Sequence, residues 1–274
     1  MIVVLAGTSD ARQLALRLLR AGYPVLASTA TENGARELEK EGVPVRWGRL
    51  DDEGMTALLR ESGARLVVDA SHPFAEEAHK TAMRAAAAAG IPYLRYERPS
   101  QEDDIAADPL VTVVDSYEAA AEEARRRKGT VFLTTGSKTL ELFAQKLLPD
   151  PDIRLVVRVL PTVENLEKCA RLGIAQRNII AMQGPFSETL NRALYEHVKP
   201  DVIVTKESGK EGSVAEKLQA ARVLGIPVIL IRRPRLAYDR VCTTFDAVLD
   251  AVRHLYAKGG IARGVQAADT AAGN

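Results

Sequence analysis

Short apolar runs alternate with longer segments of helical periodicity along most of the chain. Strands that alternate with helices predict βαβ units, a parallel sheet and right-handed crossovers. A polar interruption at Glu97–Pro109 lacks apolar periodicity and predicts a linker between two such units. In the first half the predicted strands are Ile2–Ala6, Pro24–Ser28, Val43–Arg46, Arg65–Asp69 and Pro92–Arg95, and the predicted helices are Asp10–Ala21, Asn33–Glu41, Asp52–Ser62 and Phe74–Ala89.

The same pattern resumes after the linker. We therefore predict an α/β protein with two doubly wound parallel-sheet domains, over residues 1–97 and 98–258. Residues 259–274 are rich in alanine and glycine and predict a disordered tail. In the second half the predicted strands are Val111–Val114, Thr130–Thr134, Ile153–Val157, Asn178–Ala181, Asp201–Val204 and Pro227–Ile231, and the predicted helices are Ser116–Arg127, Lys138–Leu147, Val163–Leu172, Glu188–His197, Ser213–Leu224 and Phe245–Ala257.

Net charge and apolar content exclude several classes of protein. The 274 residues carry a formal net charge of +1, whereas nucleic-acid binders usually show a basic excess. No apolar run approaches the roughly 20 residues that cross a bilayer, and Met1 leads into the first strand instead of a cleavable leader. We therefore expect a cytoplasmic protein that binds small molecules and neither nucleic acid nor membrane.

The spacing of cysteine and histidine argues against a metal site. Cys169 and Cys242 are far apart and form no CxxC pair, and the four histidines form no cluster. We expect two reduced cysteines and no bound metal.

A turn suited to phosphate follows the first predicted strand. Gly7 permits a tight turn, and Thr8 and Ser9 supply hydroxyls at the start of a helix whose N-terminus carries a partial positive charge. Only the first glycine of a GxGxxG pattern is present, so a plain helix cap is the alternative. The candidate dinucleotide-binding residues of this turn are Gly7, Thr8, Ser9 and Asp10.

The end of the second strand bears on which dinucleotide would bind. Ser28, Thr29 and Thr31 occupy the place where an acidic residue usually holds the adenosine ribose of NAD. These hydroxyls and Arg36 are suited to the 2′-phosphate of NADP. Because Glu32 lies nearby, NADH stays an alternative cofactor. A polar loop without a ligand is the alternative.

A further cluster follows the fourth strand, at the edge where open α/β sheets bind ligands. Ser71, His72 and Pro73 lie there, and Pro73 suits the start of a helix. We take all three as candidate cofactor-binding residues. In the alternative interpretation, Ser71 caps the helix and His72 is a solvated loop residue.

Three polar clusters at strand ends of the second half predict a lined substrate site. Lys138, Arg158 and Lys206 would make such a site positive and suited to carboxylates, although each alone is equally well explained as a surface charge. The candidate substrate-binding residues are Gly136, Ser137, Lys138, Arg158, Gln183, Gly184, Lys206, Ser208 and Gly209.

Taken in order from Met1 to Pro234, these clusters resemble precorrin-6A reductases. The resemblance implies two Rossmann-like domains around a cleft, NADPH or NADH as cofactor, and a tetrapyrrole substrate on the route to cobalamin. It also implies hydride transfer to one carbon–carbon double bond of (cobalt-)precorrin-6A, which gives (cobalt-)precorrin-6B. The segments that carry it are Gly7–Arg12, Asp69–Ala75, Tyr93–Pro99, Thr135–Ser137, Arg158–Pro161, Met182–Phe186 and Thr205–Gly209.

Ala30–Gly34 and Gly48–Asp51 look more like the branch of that family which acts on the cobalt-containing substrate. The resemblance therefore favours cobalt-precorrin-6A and leaves NADH and NADPH both open. His72 is a candidate proton donor because of its position and titration range, and a bound water is the alternative. Two further functions stay open: another two-domain NAD(P)-dependent oxidoreductase, and a nucleotide-binding module without catalysis.

Overall fold

The computed structural model describes residues 1–100, 105–209 and 214–258, with side chains described up to residue 255, and the chain forms two compact α/β units. The first unit comprises Met1–Arg98 and the described chain from Leu236. Its elements are β1 (Ile2–Leu5), α1 (Ser9–Arg20), β2 (Val25–Thr29), α2 (Glu32–Lys40), β3 (Val45–Trp47), α3 (Asp52–Glu61), β4 (Leu66–Asp69), α4 (Glu76–Ala89) and β5 (Tyr93–Tyr96), followed after the second unit by β12 (Val241–Cys242) and α10 (Phe245–Lys258).

Six parallel strands form the first sheet, in the order β12-β5-β4-β1-β2-β3. Alternate residues of β1 point to opposite faces. Ile2 and Val4 belong to the apolar core that contains Leu14 of α1, whereas Val3 and Leu5 pack in a second core with α3 and α4. Burial on both faces explains why β1 is an unbroken apolar run instead of an alternating pattern.

The second unit, Pro99–Arg235, contains another sheet of six parallel strands, in the order β6-β11-β10-β7-β8-β9. Its elements are β6 (Val111–Val114), α5 (Tyr117–Arg127), β7 (Gly129–Leu133), α6 (Leu140–Leu147), β8 (Ile153–Val159), α7 (Val163–Arg171), β9 (Ile179–Ala181), α8 (Glu188–Val198), β10 (Val202–Lys206), α9 (Val214–Leu224) and β11 (Val228–Ile231).

Short polar side chains cap many of these helices. In each case the side-chain oxygen of the residue before the helix accepts a hydrogen bond from the amide three residues on, a contact that contributes about 1 kcal/mol. The caps with this bond are Thr8, Thr31, Asp51, Ser116, Thr162, Ser187 and Thr244.

The C-terminal segment returns to the first unit, although the sequence analysis placed everything up to residue 258 in the second. The backbone amides of Arg95 and Glu97 donate to the carbonyls of Arg240 and Cys242, both at 2.9 Å, so β12 extends the first sheet next to β5. Helix α10 then buries Val248 and other apolar residues in the core that contains Ile2. This apolar face is what holds the segment in the first unit.

The predicted doubly wound parallel-sheet architecture is confirmed, and every predicted strand and helix is present with its ends within two residues of the prediction. Among the described elements, strand β12 and a short 3-10 helix at Gln176–Asn178 were missed. Residues 101–104 of the predicted linker and the predicted tail, residues 259–274, lie outside the described residues. In the described part of the chain, no helix combines the length and apolar character needed to cross a membrane.

Candidate active site

The strand order of the first sheet reverses between β1 and β4, because β2 and β3 lie on one side of β1 and β5 lies on the far side of β4. Such a reversal opens a crevice outside the carboxyl ends of the two strands, where open α/β sheets bind ligands. The β1–α1 turn and the loop after β4 lie at this reversal. The structure thus brings together two of the three predicted cofactor-binding clusters, and the third follows the neighbouring strand β2.

The backbone of the β1–α1 turn is open. Gly7 is exposed, and a Cβ built on it would meet no atom within 4 Å beyond its chain neighbours. Thr8 caps α1 by accepting a hydrogen bond from the Ala11 amide at 3.3 Å, and Ser9 is exposed in the first turn. The amides and partial positive charge of the α1 N-terminus therefore lie at an unobstructed turn, as phosphate binding requires.

Asp10 is buried at this turn, although we predicted that it contacts the cofactor. Its Oδ1 accepts hydrogen bonds from Arg98 Nη2 at 2.9 Å and from Thr8 Oγ1 at 2.5 Å, and Arg98 is buried as well. The Arg98 charge neutralises a carboxylate that would otherwise repel phosphate at the helix N-terminus. Asp10 therefore shapes the turn.

A buried polar network lies behind the loop that follows β4. Asp69, the last residue of β4, is completely buried. Its Oδ2 accepts a hydrogen bond from the Tyr93 hydroxyl at 2.6 Å and lies 2.7 Å from His79 Nδ1. Its Oδ1 accepts from the Ser71 hydroxyl at 2.6 Å and from Arg95 Nη1 at 3.2 Å. Both oxygens of the carboxylate are therefore satisfied within the protein.

The ionisation states in this network follow from its contacts. Burial acts to raise the pKa of Asp69, but the hydrogen bond from His79 and the charge of Arg95 outweigh it and hold that pKa well below its usual range. Burial and the negative charge of Asp69 raise the pKa of Tyr93. Arg95 Nη1 also donates to the Ser71 carbonyl at 3.0 Å, so an ionised network fixes the backbone of the loop that carries His72.

His72 is partly exposed, and its Nδ1 accepts a hydrogen bond from the Phe74 amide at 3.1 Å. A ring nitrogen that accepts from an amide carries no proton, so the neutral ring holds its proton on Nε2. Protonation at Nδ1 would break this bond. The adjoining Ser71 is partly exposed and Pro73 is buried.

At the end of β2, Ser28 and Thr29 are buried, whereas Thr31 is exposed and caps α2. Arg36, which we predicted to bind a 2′-phosphate, is exposed and forms an ion pair with Glu32 at 2.8 Å, one helical turn away. The charge of Arg36 is therefore already neutralised on the surface of α2.

The second sheet reverses its order between β7 and β10. The loops after these strands contain Gly136 at φ 83° and Gly209 at φ 74°, conformations that strongly favour glycine. All nine predicted substrate-binding residues lie at or just beyond the carboxyl ends of β7, β8, β9 and β10, on one edge of this sheet. Lys138 and Gln183 are exposed, Gly136, Ser137, Gly184 and Lys206 are partly exposed, and Arg158, Ser208 and Gly209 are buried.

Arg158 is held in one orientation near the end of β8. Its Nη1 donates to Asn191 Oδ1 at 2.9 Å, and its guanidinium carbon lies 3.8 Å from the centre of the Phe186 ring. Asn191 is fully buried and donates to the Phe186 carbonyl at 3.1 Å. Among the residues that the structure describes, the partners of Arg158 are neutral. A fixed guanidinium of this kind suits recognition of a carboxylate.

Three lysines surround the same edge and, with Arg158, form what we call the basic cluster: Lys138, Arg158, Lys206 and Lys217. Lys217 of α9 is buried, and burial together with the charges of Arg158 and Lys206 lowers its pKa to about 7. Burial and the charge of Lys138 lower the pKa of Lys206 to about 8. These cations repel one another, and a bound anion would relieve that repulsion.

Glu207 follows Lys206 and is fully buried. It forms an ion pair with Arg233, and its Oε1 accepts a hydrogen bond from the Gly209 amide at 3.0 Å. The negative charge next to Lys206 is thus neutralised by Arg233, and the same carboxylate holds the backbone of Gly209.

Sequence reasoning missed Tyr93, Arg95 and Lys217. The signal for Arg95 was a charged residue inside an apolar strand, because a buried arginine needs a carboxylate partner. Lys217 carried no such signal, since its neighbour Glu216 makes the position resemble a solvated helix face. Within the described ranges, no group of three or more His, Cys, Asp or Glu side chains is arranged to hold a metal ion.

The sequence of the chain is similar to that of known proteins from one family. Residues 1–253 match the family described as "Precorrin-6x reductase CbiJ/CobK". The cobalt-precorrin-6A reductase of Priestia megaterium is 53% identical over 252 residues, which are 92% of this chain and 98% of that protein. That of Salmonella typhimurium is 40% identical over 233 residues, 85% of this chain and 87% of that protein.

The fold agrees with the sequence comparison. The solved structure described as "CobK precorrin-6A reductase" is 27% identical, with a TM-score of 0.76 over 93% of this chain and 96% of that one. The chain therefore belongs to the CbiJ/CobK precorrin-6x reductase family and is an oxidoreductase of cobalamin biosynthesis.

Proposed function

We propose that the chain reduces cobalt-precorrin-6A with a reduced nicotinamide dinucleotide, and that each unit binds one of the two ligands. The dinucleotide binds the first unit, and the carboxylates of the macrocycle bind the basic cluster of the second. What supports this division is that an unobstructed helix N-terminus lies at the reversal of the first sheet, whereas the basic cluster lies at that of the second. The cobalt-containing substrate is supported by the names of the relatives from Priestia and Salmonella.

The first unit fits a dinucleotide at the β1–α1 turn. No atom beyond its chain neighbours lies within 4 Å of a Cβ built on Gly7, so a pyrophosphate would meet open backbone there and accept hydrogen bonds from the amides of α1. When bound, a reduced nicotinamide supplies the hydride for the reduction. The accessible candidate contacts are Gly7, Thr8, Ser9, Thr31, Ser71 and His72, whereas the buried Asp10, Ser28, Thr29 and Pro73 support the turns.

The second unit fits the carboxylates of a tetrapyrrole. Arg158 presents a fixed guanidinium, and Lys138 adds an exposed ammonium at the same sheet edge. Charge-assisted hydrogen bonds from these groups are about twice as strong as neutral ones and would hold the macrocycle in one orientation. Such positioning supplies most of the rate acceleration of a hydride transfer, because the donor and the acceptor must be held in the correct relative position.

The proton of the reduction needs a donor of its own, because hydride adds to one carbon of the double bond and a proton to the other. Lys206 is protonated at neutral pH, is partly exposed at the end of β10, and has a pKa of about 8. An acid is most effective when its pKa lies near the working pH. His72 instead uses Nδ1 to accept from a backbone amide. We therefore propose Lys206 as the proton donor.

Separate titrations test the division of ligands. Under anaerobic conditions, the purified protein is titrated with NADPH and, separately, with cobalt-precorrin-6A. We expect Gly7→Val to weaken only dinucleotide binding, because its side chain would occupy space that the protein leaves open. We expect Arg158→Met to weaken only macrocycle binding. Equal losses of both ligands in both variants would contradict the proposal.

A further inference from the structure

Asn191 of α8 is fully buried, and its side-chain amide has one orientation that satisfies its neighbours. Its Nδ2 donates to the Phe186 carbonyl at 3.1 Å and to the Ser187 carbonyl at 2.9 Å. Carbonyl oxygens only accept hydrogen bonds, so the amino group must face them and Oδ1 must point away. That oxygen accepts from Arg158 Nη1 at 2.9 Å. The loop before α8 therefore aims a neutral acceptor at Arg158.

Two aromatic rings restrict the same guanidinium. The guanidinium carbon of Arg158 lies 3.8 Å from the centre of the Phe186 ring and 5.9 Å from the centre of the Phe132 ring, both within the range of a cation–π contact. A ring stacked on a guanidinium face leaves the in-plane N–H groups to bind other partners. Asn191 takes one of these N–H groups. The remaining ones therefore point in fixed directions.

These contacts hold Arg158 without neutralising its charge. Within the described ranges, its hydrogen bond goes to Asn191 and no carboxylate forms an ion pair with it. Burial lowers the pKa of the guanidinium, as expected for a cation that no carboxylate faces. The buried Arg95 is the contrast, because it pairs with both Asp69 and Glu97. The charge of Arg158 is therefore left for a ligand, whereas that of Arg95 serves the fold.

We propose that Asn191 is a positioning residue of the macrocycle site, which orients Arg158 toward a substrate carboxylate and, being neutral, leaves the charge of Arg158 to that carboxylate. This role rests on the proposed macrocycle site and adds a residue that acts through Arg158 without touching the substrate. Alanine at position 191 would free the guanidinium to turn away from the ligand. Aspartate, which has nearly the same shape, would neutralise the guanidinium and compete with the substrate.

A double-mutant cycle tests whether Asn191 acts through Arg158. Dissociation constants of cobalt-precorrin-6A are measured by anaerobic titration calorimetry, without dinucleotide, for the intact wild type, Arg158→Met, Asn191→Ala and the double variant. Asn191→Ala should weaken macrocycle binding about tenfold in the wild-type background. In the Arg158→Met background it should weaken binding less than about twofold, because the side chain that it orients is gone. NADPH binding should be the same in all four proteins.

Asn165 supplies a matched control within the same unit. It is buried in α7, and its Nδ2 donates to the Leu160 carbonyl at 3.2 Å, five residues back, as Asn191 does to Phe186. In the described part of the chain it holds no cation. Asn165→Ala should therefore lower the melting temperature, as Asn191→Ala does, and leave macrocycle binding unchanged.

Asn191→Asp keeps the shape of the side chain and gives a second test if Asn191→Ala does not fold. It should weaken macrocycle binding about tenfold or more. Equal weakening by Asn191→Ala in both backgrounds, or wild-type affinity in Asn191→Asp, would overturn the role of Asn191 and leave the macrocycle site standing. Wild-type affinity in Arg158→Met would overturn the proposed macrocycle site as well.

Discussion

Arg95 Nη1 lies 3.2 Å from Asp69 Oδ1, between residues that are paired in the register of β4 and β5, and both side chains are buried. Removing two charges from water is costly, and an isolated buried pair seldom stabilises a fold. Here Tyr93 and His79 satisfy the second carboxylate oxygen, and Glu97 accepts from Arg95 Nε at 2.9 Å. The network therefore holds the loop before His72 in place without leaving a charge unpaired.

Asp69→Asn should destabilise the first unit by about 3–5 kcal/mol, because it leaves the buried Arg95 with too little negative charge. Tyr93→Phe removes one hydrogen bond and should cost about 1 kcal/mol. Urea unfolding can be monitored by the fluorescence of Trp47. This signal reports on the first unit selectively, since the only tryptophan of the chain lies in β3. A loss in Asp69→Asn no larger than in Tyr93→Phe would show that the ion pair does not hold the loop.

The pH dependence of the same variant has a definite sign. The pKa of Asp69 is lowered in the folded chain, so its contribution to stability is complete above the unfolded pKa of about 4 and is lost as the pH falls toward the folded value. Asp69→Asn should therefore reduce the loss of stability that the wild type shows below about pH 4. An unchanged acid profile would contradict the assigned ionisation.

Lys217→Met should stabilise the second unit and weaken macrocycle binding. The folded pKa of about 7 lies below the ordinary 10.5, so the charged lysine is penalised in the folded state. At pH 6 the variant should gain more than about 1 kcal/mol, a gain that shrinks as the pH rises from 7 toward 10.5. Lys146→Met, which removes an exposed lysine paired with Glu122, is the control. Lower stability at pH 6 with unchanged macrocycle binding would contradict the role of the basic cluster.

Lys206→Arg separates proton donation from binding. Arginine keeps the positive charge but holds its proton too tightly to act as an acid, so macrocycle binding should persist while kcat falls about a hundredfold or more. In the wild type, kcat should decline as the pH rises through about 8, where Lys206 loses its proton. His72→Asn retains an acceptor for the Phe74 amide and should keep most of the turnover. Loss of turnover in His72→Asn, with an active Lys206→Arg enzyme, would reverse the assignment.

The alternation of apolar runs and helices was enough to predict both sheets, because a parallel strand covered on two faces must be an apolar run, as Ile2–Leu5 is. The same logic placed the candidate site residues at one edge of each sheet, since polar residues after such strands cluster at one side of the sheet. Strand β12 could not be predicted in this way. It has only two residues and no apolar pattern. It is a strand because the amides of Arg95 and Glu97 donate hydrogen bonds to its backbone.

Sequence reasoning placed the candidate residues at the sheet edges where the structure has them, but it did not give the contacts of each residue. Asp10 looked like a ligand because it follows Gly7, but its partner Arg98 is 88 residues away, and no local pattern reports such a contact. Arg46 was predicted only as the last residue of a strand. Its contact with Ser28 Oγ depends on the pairing of β2 with β3, which only the folded sheet shows.

The proposed reaction is tested most directly by anaerobic oxidation of the dinucleotide, measured by its absorbance. NADPH and NADH are each combined with cobalt-precorrin-6A and, separately, with precorrin-6A. We expect oxidation only when a macrocycle is present, one dinucleotide consumed for each macrocycle reduced, and the higher rate with the cobalt-containing substrate. If protein that binds the dinucleotide oxidises it with neither macrocycle, the proposed reaction is wrong.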